Sequence, residues 1–568
     1  MMYATLIVLL LLAPTWAREQ NSTTCDMAIK IMTWVSDQVE TNPTVQELLG
    51  EAAGEYEKNQ PSTTDLIPVM PQLDWVAFQV QAVLGSAVYG AAEPGEVFYV
   101  LNTLNDSSKL GNISQYEGQE LVVFDIWRDG WVNMADTLVS RAQNLSDEEA
   151  KASLYYRAAQ YYFVSQWPFP VSEQGLEAQR NGLEAFKNYL SEIEKSRGYH
   201  VEWLTIPFSN GTTEADLPAV FVTPDPTKKL PLVILNTGTD YPIEAIFPFG
   251  GSQSLENGYA VLAFEGPGQG SAKRYPPYMP LVTRWDKVID AVVSTAKSDD
   301  SIQNYISEDN MFLWGVSLGG YLAGQACSML PKGTLAGCIV TPAVVSMIPP
   351  YTERLVDTLL LPFGQLNATD IPEDYADAFR NSTTVVDTIL RPLLQDCSPE
   401  SGAPEIWYDL FQGADLVNVL PDYVYNIIDY AGVFTSNVTD IIQATWLGYQ
   451  NAFDFVNPNV SMTETPILVL SGTEDNLMGG QEALFFDQLP DDIKAQSQLV
   501  NFTAETGGAL HSQSGAMQAQ AEAVFPWMKQ QLSKGDNTST SPPSSSSFLE
   551  RHIAPLFITS LACLLVVL

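Results

Sequence analysis

The pattern of apolar and polar positions divides the chain into two stretches of different periodicity. From Cys25 to about Ser196, apolar residues recur at steps of three and four, as in 75–88 and 124–143, which predicts amphipathic helices. From Tyr199 onward, short apolar runs alternate with helical stretches. We therefore expect an N-terminal helical region followed by an α/β domain, whose mostly parallel sheet is covered by helices on both faces.

Short apolar runs bounded by turn residues mark the strands of this sheet. Leu232–Leu235 and Ala260–Phe264 carry no polar residue, which is typical of strands buried on both faces. The alternation stops from Pro349 to Phe455, which predicts a helical cap inserted into the sheet domain. The predicted strands lie at 200–207, 217–222, 232–235, 260–264, 311–316, 337–341, 466–470 and 498–502, with helices from about 243, at 283–296 and at 515–532.

The two ends of the chain have the composition of targeting segments. Tyr3–Pro14 is almost continuously apolar and the small residue Ala17 follows, which predicts a cleaved secretory signal. Near the other end, a Ser/Thr/Pro-rich stretch precedes the apolar run Ile553–Leu568, which has no basic tail. This order favours a glycosylphosphatidylinositol (GPI) anchor signal, with a membrane-spanning tail as the alternative. The attachment residue stays open among Asn537, Ser539 and Ser544.

Together these features predict six segments and a destination in the secretory pathway. The segments are a signal peptide (1–17), the N-terminal helical region (18–198), the first part of the α/β core (199–345), the inserted cap (346–461), the second part of the core (462–533) and a linker with the anchor signal (534–568). The protein is then expected on the extracellular face of the plasma membrane, or secreted.

Sequons and cysteines fit this destination. Of the five cysteines, Cys563 lies in the C-terminal apolar run, and the other four can pair in three ways. Some pairing is expected in a secreted protein, but spacing leaves open how Cys25, Cys327, Cys338 and Cys397 are joined. Asn-x-Ser/Thr sequons, the acceptors of N-glycans, begin at Asn21, Asn105, Asn112, Asn144, Asn210, Asn367, Asn381, Asn437, Asn459, Asn501 and Asn537.

The charge balance restricts the kinds of partner. The chain has 27 Lys and Arg against 67 Asp and Glu, a net charge of −40. No block of cations is present for phosphate contacts, so nucleic acid is not an expected partner, and a small-molecule or acyl substrate is. No Cys-x-x-Cys pair or Cys/His cluster predicts a metal, and no cofactor is expected. The oligomeric state does not follow from the sequence.

The strongest local motif is Gly315-Val316-Ser317-Leu318-Gly319, which lies between a predicted strand and a predicted helix. Such a turn lifts the serine hydroxyl above the edge of the sheet, where a base can reach it. Gly315 and Gly319 have no Cβ, so the two arms of the turn can approach closely. Ser317 is therefore the predicted nucleophile, although the bare pattern also occurs as a purely structural turn.

A serine hydrolase of this architecture has its acid and its histidine after the serine, in the order Ser, Asp, His. Of the three histidines, His552 lies in the C-terminal segment and His200 precedes the sheet proper. His511, in a loop after the last predicted strand, is therefore the predicted base. Asp475 follows the penultimate strand directly and is the predicted acid, with Glu474 as the alternative.

Acyl transfer also requires two N–H donors for the developing oxyanion. The backbone N–H of Leu318, directly after the nucleophile, is expected to be one of them. The other is expected from the loop after the first buried strand of the sheet, where Thr239 has the most suitable position.

Several motifs recur along the chain in one order: the helix before Phe169-Pro170, the strand 201–206, Thr237-Gly238-Thr239-Asp240, Glu265-Gly266-Pro267-Gly268-Gln269-Gly270, the Ser317 turn, Asp475 and His511. This order resembles the α/β-hydrolase superfamily, and within it the branch of dihydropseudooxynicotine hydrolase and fermentation–respiration-switch esterases. The resemblance extends from about Leu154 to Leu532 and is poor across the cap. It implies a Ser–His–Asp hydrolase of esters or, in some members, of carbon–carbon bonds beside a ketone. The chain departs from the family in its long cap and in Glu265, where aspartate is usual.

Ser317, His511 and Asp475 together predict a secreted or surface-anchored serine hydrolase, most favourably of carboxylic esters. Cleavage of carbon–carbon or peptide bonds on the same fold is the runner-up. A non-catalytic surface protein that uses the fold as a binding platform is the remaining alternative, and the presence of all three residues argues against it.

Overall fold

The computed structural model describes residues 22–59, 74–106, 108–116, 120–166, 173–209, 214–239, 241–274, 281–367, 370–397, 401–407, 457, 459–475 and 477–536. The predicted signal peptide, the apolar C-terminal run and much of the predicted cap lie outside these residues. The chain forms one compact unit up to Phe525, and a second from Pro526, whose described part is the end of the last helix. Within the described ranges, no helix is both long enough and apolar enough to cross a membrane.

An eight-stranded sheet lies at the centre of the first unit, in the order β1-β2-β4-β3-β5-β6-β7-β8. β2 pairs antiparallel with both β1 and β4, and the other pairs are parallel. The expected α/β class with a mostly parallel sheet is confirmed. The strands are β1 His200–Ser209, β2 Glu214–Thr223, β3 Leu230–Asn236, β4 Ala260–Phe264, β5 Ile306–Val316, β6 Gly337–Thr341, β7 Ile467–Gly472 and β8 Gln498–Phe502.

Burial follows the position of each strand in the sheet. Every residue of β4, β6 and β7 is buried, because these strands have neighbours on both edges and cover on both faces. The edge strand β1 remains partly exposed along most of its length. β5 begins at Ile306, five residues before the predicted strand. The prediction missed this part because Ser307–Asn310 are polar and half-buried or exposed, and so do not continue the apolar run.

Helices precede the sheet and alternate with its strands. The single helix expected from about 243 is instead two short helices, with Pro248 and Gly250 between them. The α-helices in chain order are α1 Ser22–Thr41, α2 Pro43–Asn59, α3 Asp74–Ser86, α4 Pro94–Leu104, α5 Glu120–Gln143, α6 Glu148–Gln166, α7 Glu173–Arg197, α8 Ile243–Ile246, α9 Gly251–Glu256, α10 Gly270–Arg274, α11 Trp285–Ser298, α12 Leu318–Met329, α13 Ile348–Leu355, α14 Ser382–Val385, α15 Glu482–Asp487, α16 Asp491–Lys494 and α17 Met517–Asp536.

The aromatic helix α6 joins the N-terminal helices to the sheet domain. Its tyrosines and Phe163 are buried, and the hydroxyl oxygens of Tyr156 and Ser252 lie 2.7 Å apart. Gln160 Nε2 donates a hydrogen bond of 2.5 Å to the carbonyl oxygen of Glu244. Because both partners lie on α8 and α9, α6 packs over the helices that follow β3.

The first described helix, α1, packs instead against the described part of the predicted cap. Cys25 in α1 forms a disulfide with Cys397, and Thr24 Oγ1 donates a 2.7 Å hydrogen bond to Asp396. The Trp34 ring lies 5.5 Å from that of Phe363. The disulfide thus joins α1 covalently to the described part of the cap, 372 residues later in sequence. The other disulfide, Cys327–Cys338, joins α12 to β6, so the pairing that spacing left open is resolved.

Candidate active site

The turn between β5 and α12 holds Ser317 in a strained backbone conformation, with φ 60° and ψ −129°. A Cβ at Gly315 would lie 2.0 Å from the carbonyl oxygen of Gly319, and one at Gly319 would lie 2.3 Å from that of Thr237. Both contacts are with backbone atoms, so only glycine fits at either position. The N–H of Ser317 donates a 2.7 Å hydrogen bond to the carbonyl oxygen of Thr341, which holds the turn from β6.

His511 reaches Ser317 from the loop after β8. Its Nε2 lies 2.8 Å from Ser317 Oγ, and the imidazole is only 5% exposed. The loop turns sharply here, since both Ser512 and Gln513 have φ of 54°, in the left-handed region. The Ser514 hydroxyl donates to the carbonyl oxygen of His511 at 2.8 Å and stabilises the turn.

Asp475 lies on the far side of the imidazole. Its Oδ2 is 2.8 Å from His511 Nδ1, and its Oδ1 accepts hydrogen bonds of 3.0 Å from the N–H groups of Leu477 and Met478. Burial alone would raise the pKa of the Asp475 carboxyl. The charge and hydrogen bond of His511 and the two N–H donors outweigh burial and lower that pKa below its ordinary value of 3.8. Asp475, rather than the alternative Glu474, is therefore the carboxylate in contact with the imidazole, and it is ionised at neutral pH.

Ser317, His511 and Asp475 thus form a relay of two hydrogen-bond contacts. Three side chains near this relay were not singled out from the sequence. Thr341 Oγ1 donates a 2.8 Å hydrogen bond to Gln513 Oε1, so the residue whose carbonyl holds the Ser317 N–H also holds the histidine loop. Met478 Sδ lies 3.8 Å from Ser317 Oγ, and its side chain is buried. None of these residues belongs to a recognisable motif, and closeness in sequence to Asp475 or His511 was the available signal for Met478 and Gln513.

The two residues predicted to supply oxyanion donors, Leu318 and Thr239, lie in different segments of the fold. Leu318 is the first residue of α12, and Thr239 lies in the loop after β3. That loop lies close to Ser317, because a Cβ at Gly238 would lie 3.0 Å from Ser317 Cβ and 3.4 Å from Ser317 Oγ. Thr239 is buried, and its hydroxyl has no hydrogen-bond partner within the described part of the chain. Thr239 directly follows Gly238, the residue of this loop that lies close to Ser317.

The structure brings Ser317, His511 and Asp475 together, and the other sequence features lie elsewhere. No group of three or more His, Cys, Asp or Glu suited to a metal occurs among the residues that the structure describes. Asn21, Asn210, Asn437 and Asn537 lie outside those residues, and Asn459 is half-buried. The remaining sequon asparagines, which are exposed, are Asn105, Asn112, Asn144, Asn367, Asn381 and Asn501.

Comparison with known proteins gives relatives but no matching family model. The chain is 28% identical over 275 residues to hydrolase acrC of Aspergillus aculeatus, and 26% identical over 260 residues to 20-hydroxy-prefusarin hydrolase of Gibberella moniliformis. These matches cover 45% and 44% of this chain and 59% and 57% of the relatives, so the chain spans less than two thirds of their length. The crystal structure of 2,6-dihydroxy-pseudo-oxynicotine hydrolase is 16% identical, with a TM-score of 0.44, and covers 81% of this chain and 98% of its own.

The mostly parallel sheet and the glycine-flanked serine turn agree with the fold that the sequence resemblance implied. The aligned relatives carry hydrolase names. The chain therefore has the mostly parallel α/β fold and the serine turn of the α/β hydrolases, and the relatives that it resembles in sequence are hydrolases.

Proposed function

We propose that this protein is a serine hydrolase of carboxylic esters, in which Ser317 is the nucleophile, His511 the general base and acid, and Asp475 the orienting carboxylate. The observation that carries the proposal is the unbroken relay of two 2.8 Å contacts, from Ser317 Oγ to His511 Nε2 and from His511 Nδ1 to Asp475 Oδ2. Both distances lie within hydrogen-bond reach, which a nucleophile, its base and the orienting group require. The hydrolase names of the relatives support a small-molecule substrate.

The reaction follows from the positions of the protons. Ser317 Oγ attacks the ester carbonyl carbon while its proton passes to His511 Nε2, and the carbonyl oxygen becomes an oxyanion. The imidazolium then gives that proton to the leaving alkoxide, and the carbon–oxygen bond to the alcohol breaks. Water attacks the acyl-enzyme with His511 as base, and the acid is released as Ser317 regains its proton.

The environment of Asp475 suits this sequence of steps. Because its pKa is lowered, the carboxylate keeps its charge while the imidazole gains a proton. Its hydrogen bond to Nδ1 keeps Nε2 free to accept the serine proton. The N–H groups of Leu318 and Thr239 are the proposed oxyanion donors, and such a donor contributes about 3–4 kcal/mol of transition-state stabilisation.

Covalent labelling by a fluorophosphonate probe tests the proposal on the full chain. We expect labelling of wild type at Ser317, its loss in Ser317→Ala, and its retention in Ser298→Ala, which removes an exposed serine hydroxyl from the end of α11. A folded wild-type protein that does not react would contradict the assignment. The binding-platform alternative predicts that result.

The kind of bond is tested separately on the labelled enzyme. Turnover of p-nitrophenyl esters with a preference among acyl lengths would support ester hydrolysis. Labelling together with turnover of only β-diketones, or only peptide anilides, would replace ester hydrolysis by carbon–carbon or peptide cleavage on the same three residues.

We also propose that the protein travels through the secretory pathway and is held at the cell surface by a lipid anchor. The two disulfides and the exposed sequon asparagines support an oxidising, glycosylating compartment. Phosphatidylinositol-specific phospholipase C is expected to release the protein from intact cells, and peptide-N-glycosidase F to lower its apparent mass. Retention after phospholipase treatment, with a known anchored protein released in parallel, would favour a spanning tail.

A further inference from the structure

The loop after β4, residues 265–270, contacts the segment that carries the proposed oxyanion donor Thr239. Gln269 in this loop is fully buried, and its Nε2 donates to the carbonyl oxygens of Thr237 and Gly238 at 2.5 and 3.3 Å. Its Oε1 accepts a 3.1 Å hydrogen bond from the N–H of Gly266. Because the backbone N–H of Gly266 can only donate, the atom that accepts from it is the amide oxygen, and the Nε2 of Gln269 faces the two carbonyls.

The direction of a carbonyl sets the direction of the N–H in the same peptide unit. The unit is planar and trans, so C=O and N–H point to opposite sides. The carbonyl of Gly238 shares its peptide unit with the N–H of Thr239. When Gln269 holds that carbonyl, the Thr239 N–H points away from Gln269, in a segment that lies close to Ser317 at Gly238.

A second side chain of the same loop holds the segment beyond Thr239. Glu265 is buried, and its Oε1 accepts a 2.9 Å hydrogen bond from the N–H of Ile243, the first residue of α8. Its Oε2 accepts from the N–H of Ser271 at 2.7 Å and from the Ser271 hydroxyl. A Cβ at Gly270 would lie 2.4 Å from the Glu265 carboxyl carbon, so this position requires glycine.

We propose that Gln269 is a positioning residue for the oxyanion hole, which directs the N–H of Thr239 by holding the carbonyls of Thr237 and Gly238. Glu265 holds the other end of the same segment at Ile243. The Gly-Pro-Gly-x-Gly loop thus acts on the oxyanion hole through the segment that carries Thr239. This proposal rests on the proposed function, because an oxyanion hole has a role only if Ser317 performs acyl transfer.

The test compares two buried glutamines whose Nε2 atoms each donate to two backbone carbonyl oxygens. Gln253 is also fully buried, and its Nε2 donates to the carbonyl oxygens of Pro248 and Met517 at 3.3 and 3.4 Å. Gln269→Met and Gln253→Met both remove an amide that holds two carbonyls, at nearly constant volume, but only Gln269 contacts the oxyanion segment. Three quantities are measured for each full-length variant: the rate of fluorophosphonate labelling, kcat and KM for p-nitrophenyl butyrate, and the inhibition constant of 2,2,2-trifluoroacetophenone, whose serine adduct carries an oxyanion.

For Gln269→Met we expect kcat to fall about 10- to 100-fold with KM changed less than about threefold, because only transition-state contacts are lost. The inhibition constant should rise in parallel with the loss of kcat. The acid limb of the pH profile of kcat/KM should stay in place, since the His511–Asp475 pair is untouched. Gln253→Met should keep wild-type values of all of these, even if its melting temperature falls.

Two results would overturn the inference while the proposed function stands. One is labelling and turnover of Gln269→Met equal to those of Gln253→Met. The other is a rise in KM with kcat unchanged. If Gln269→Met does not fold, Gln269→Asn takes its place and is judged by the same outcomes, because it keeps an amide that is one carbon too short to reach both carbonyls and Gly266. A wild-type protein that is not labelled at Ser317 would instead overturn the proposed function, and the inference with it.

Discussion

Asp475→Asn is the substitution for which the geometry predicts the most specific failure. The amide oxygen of an asparagine can replace Oδ1 and accept from the N–H groups of Leu477 and Met478. Its NH₂ then faces His511 Nδ1, which must become an acceptor. The ring proton moves to Nε2, 2.8 Å from Ser317 Oγ, so the imidazole can no longer take the serine proton.

The magnitude follows from the contacts of Asp475. Turning the amide around would restore the tautomer but place NH₂ against two N–H groups, at a cost of about 2–3 kcal/mol for two lost hydrogen bonds. Loss of the carboxylate charge beside the developing imidazolium removes a charge-assisted hydrogen bond of about 1.5–3 kcal/mol. Together these give about 3.5–6 kcal/mol, which is a fall of about 400- to 25,000-fold in the rate.

The assay is the second-order rate constant of fluorophosphonate labelling at neutral pH, which does not depend on knowing the substrate. Glu474→Gln is the matched control, since it removes a neighbouring carboxylate that lies outside the relay, and its rate should stay within about twofold of wild type. A fall of less than tenfold in Asp475→Asn, with the protein folded, would refute the tautomer argument. A large fall in the labelling rate of Glu474→Gln would instead indicate Glu474 as the orienting carboxylate.

The remaining predictions concern the turn, the disulfide and pH. Gly319→Ala should lower the labelling rate at least 100-fold, because its Cβ would lie 2.3 Å from the Thr237 carbonyl oxygen and displace the turn. Replacing Cys25 and Cys397 by alanine should lower the free energy of unfolding in urea by about 2–5 kcal/mol. The pKa of Asp475 is lower in the folded protein than its ordinary 3.8, so its ionisation stabilises the fold above that pH, and the stability advantage of wild type over Asp475→Asn should shrink as pH falls through the folded value.

The predicted effect of removing the Cys25–Cys397 disulfide concerns the contact between α1 and the cap. Cys25 and Cys397 join the first described helix to the described part of the predicted cap, and the Trp34 ring packs beside Phe363 in the same contact. The helices after Asp74 include α6, which packs on the sheet domain instead. The sequence predicts one helical region over 18–198. In the structure, α1 contacts the described part of the cap, whereas α6 contacts the helices that follow β3.

The sequence by itself predicted the eight strands, several of them shorter than in the structure, and singled out Ser317, His511 and Asp475, which the structure brings into contact. The fully apolar run 260–264 and the largely apolar run 337–341 form the buried strands β4 and β6 with the predicted bounds. Ser317 was recognisable because the geometry of its turn demands glycine at two fixed positions. Scarcity of histidine identified His511, and its order after Asp475 completed the set. Periodicity and the steric requirements of a turn depend on residues that are close in sequence, so they can be recognised before the fold is known.

Only the tertiary structure decided the contacts between residues distant in sequence. The Cys25–Cys397 pairing, the hydrogen bond from Thr341 to Gln513 and the hold of Gln269 on Thr237 join segments that the sheet brings together. These partners have no fixed spacing, and a buried glutamine looks the same in sequence as an exposed one. Their positions result from strand order and packing, which no single segment specifies.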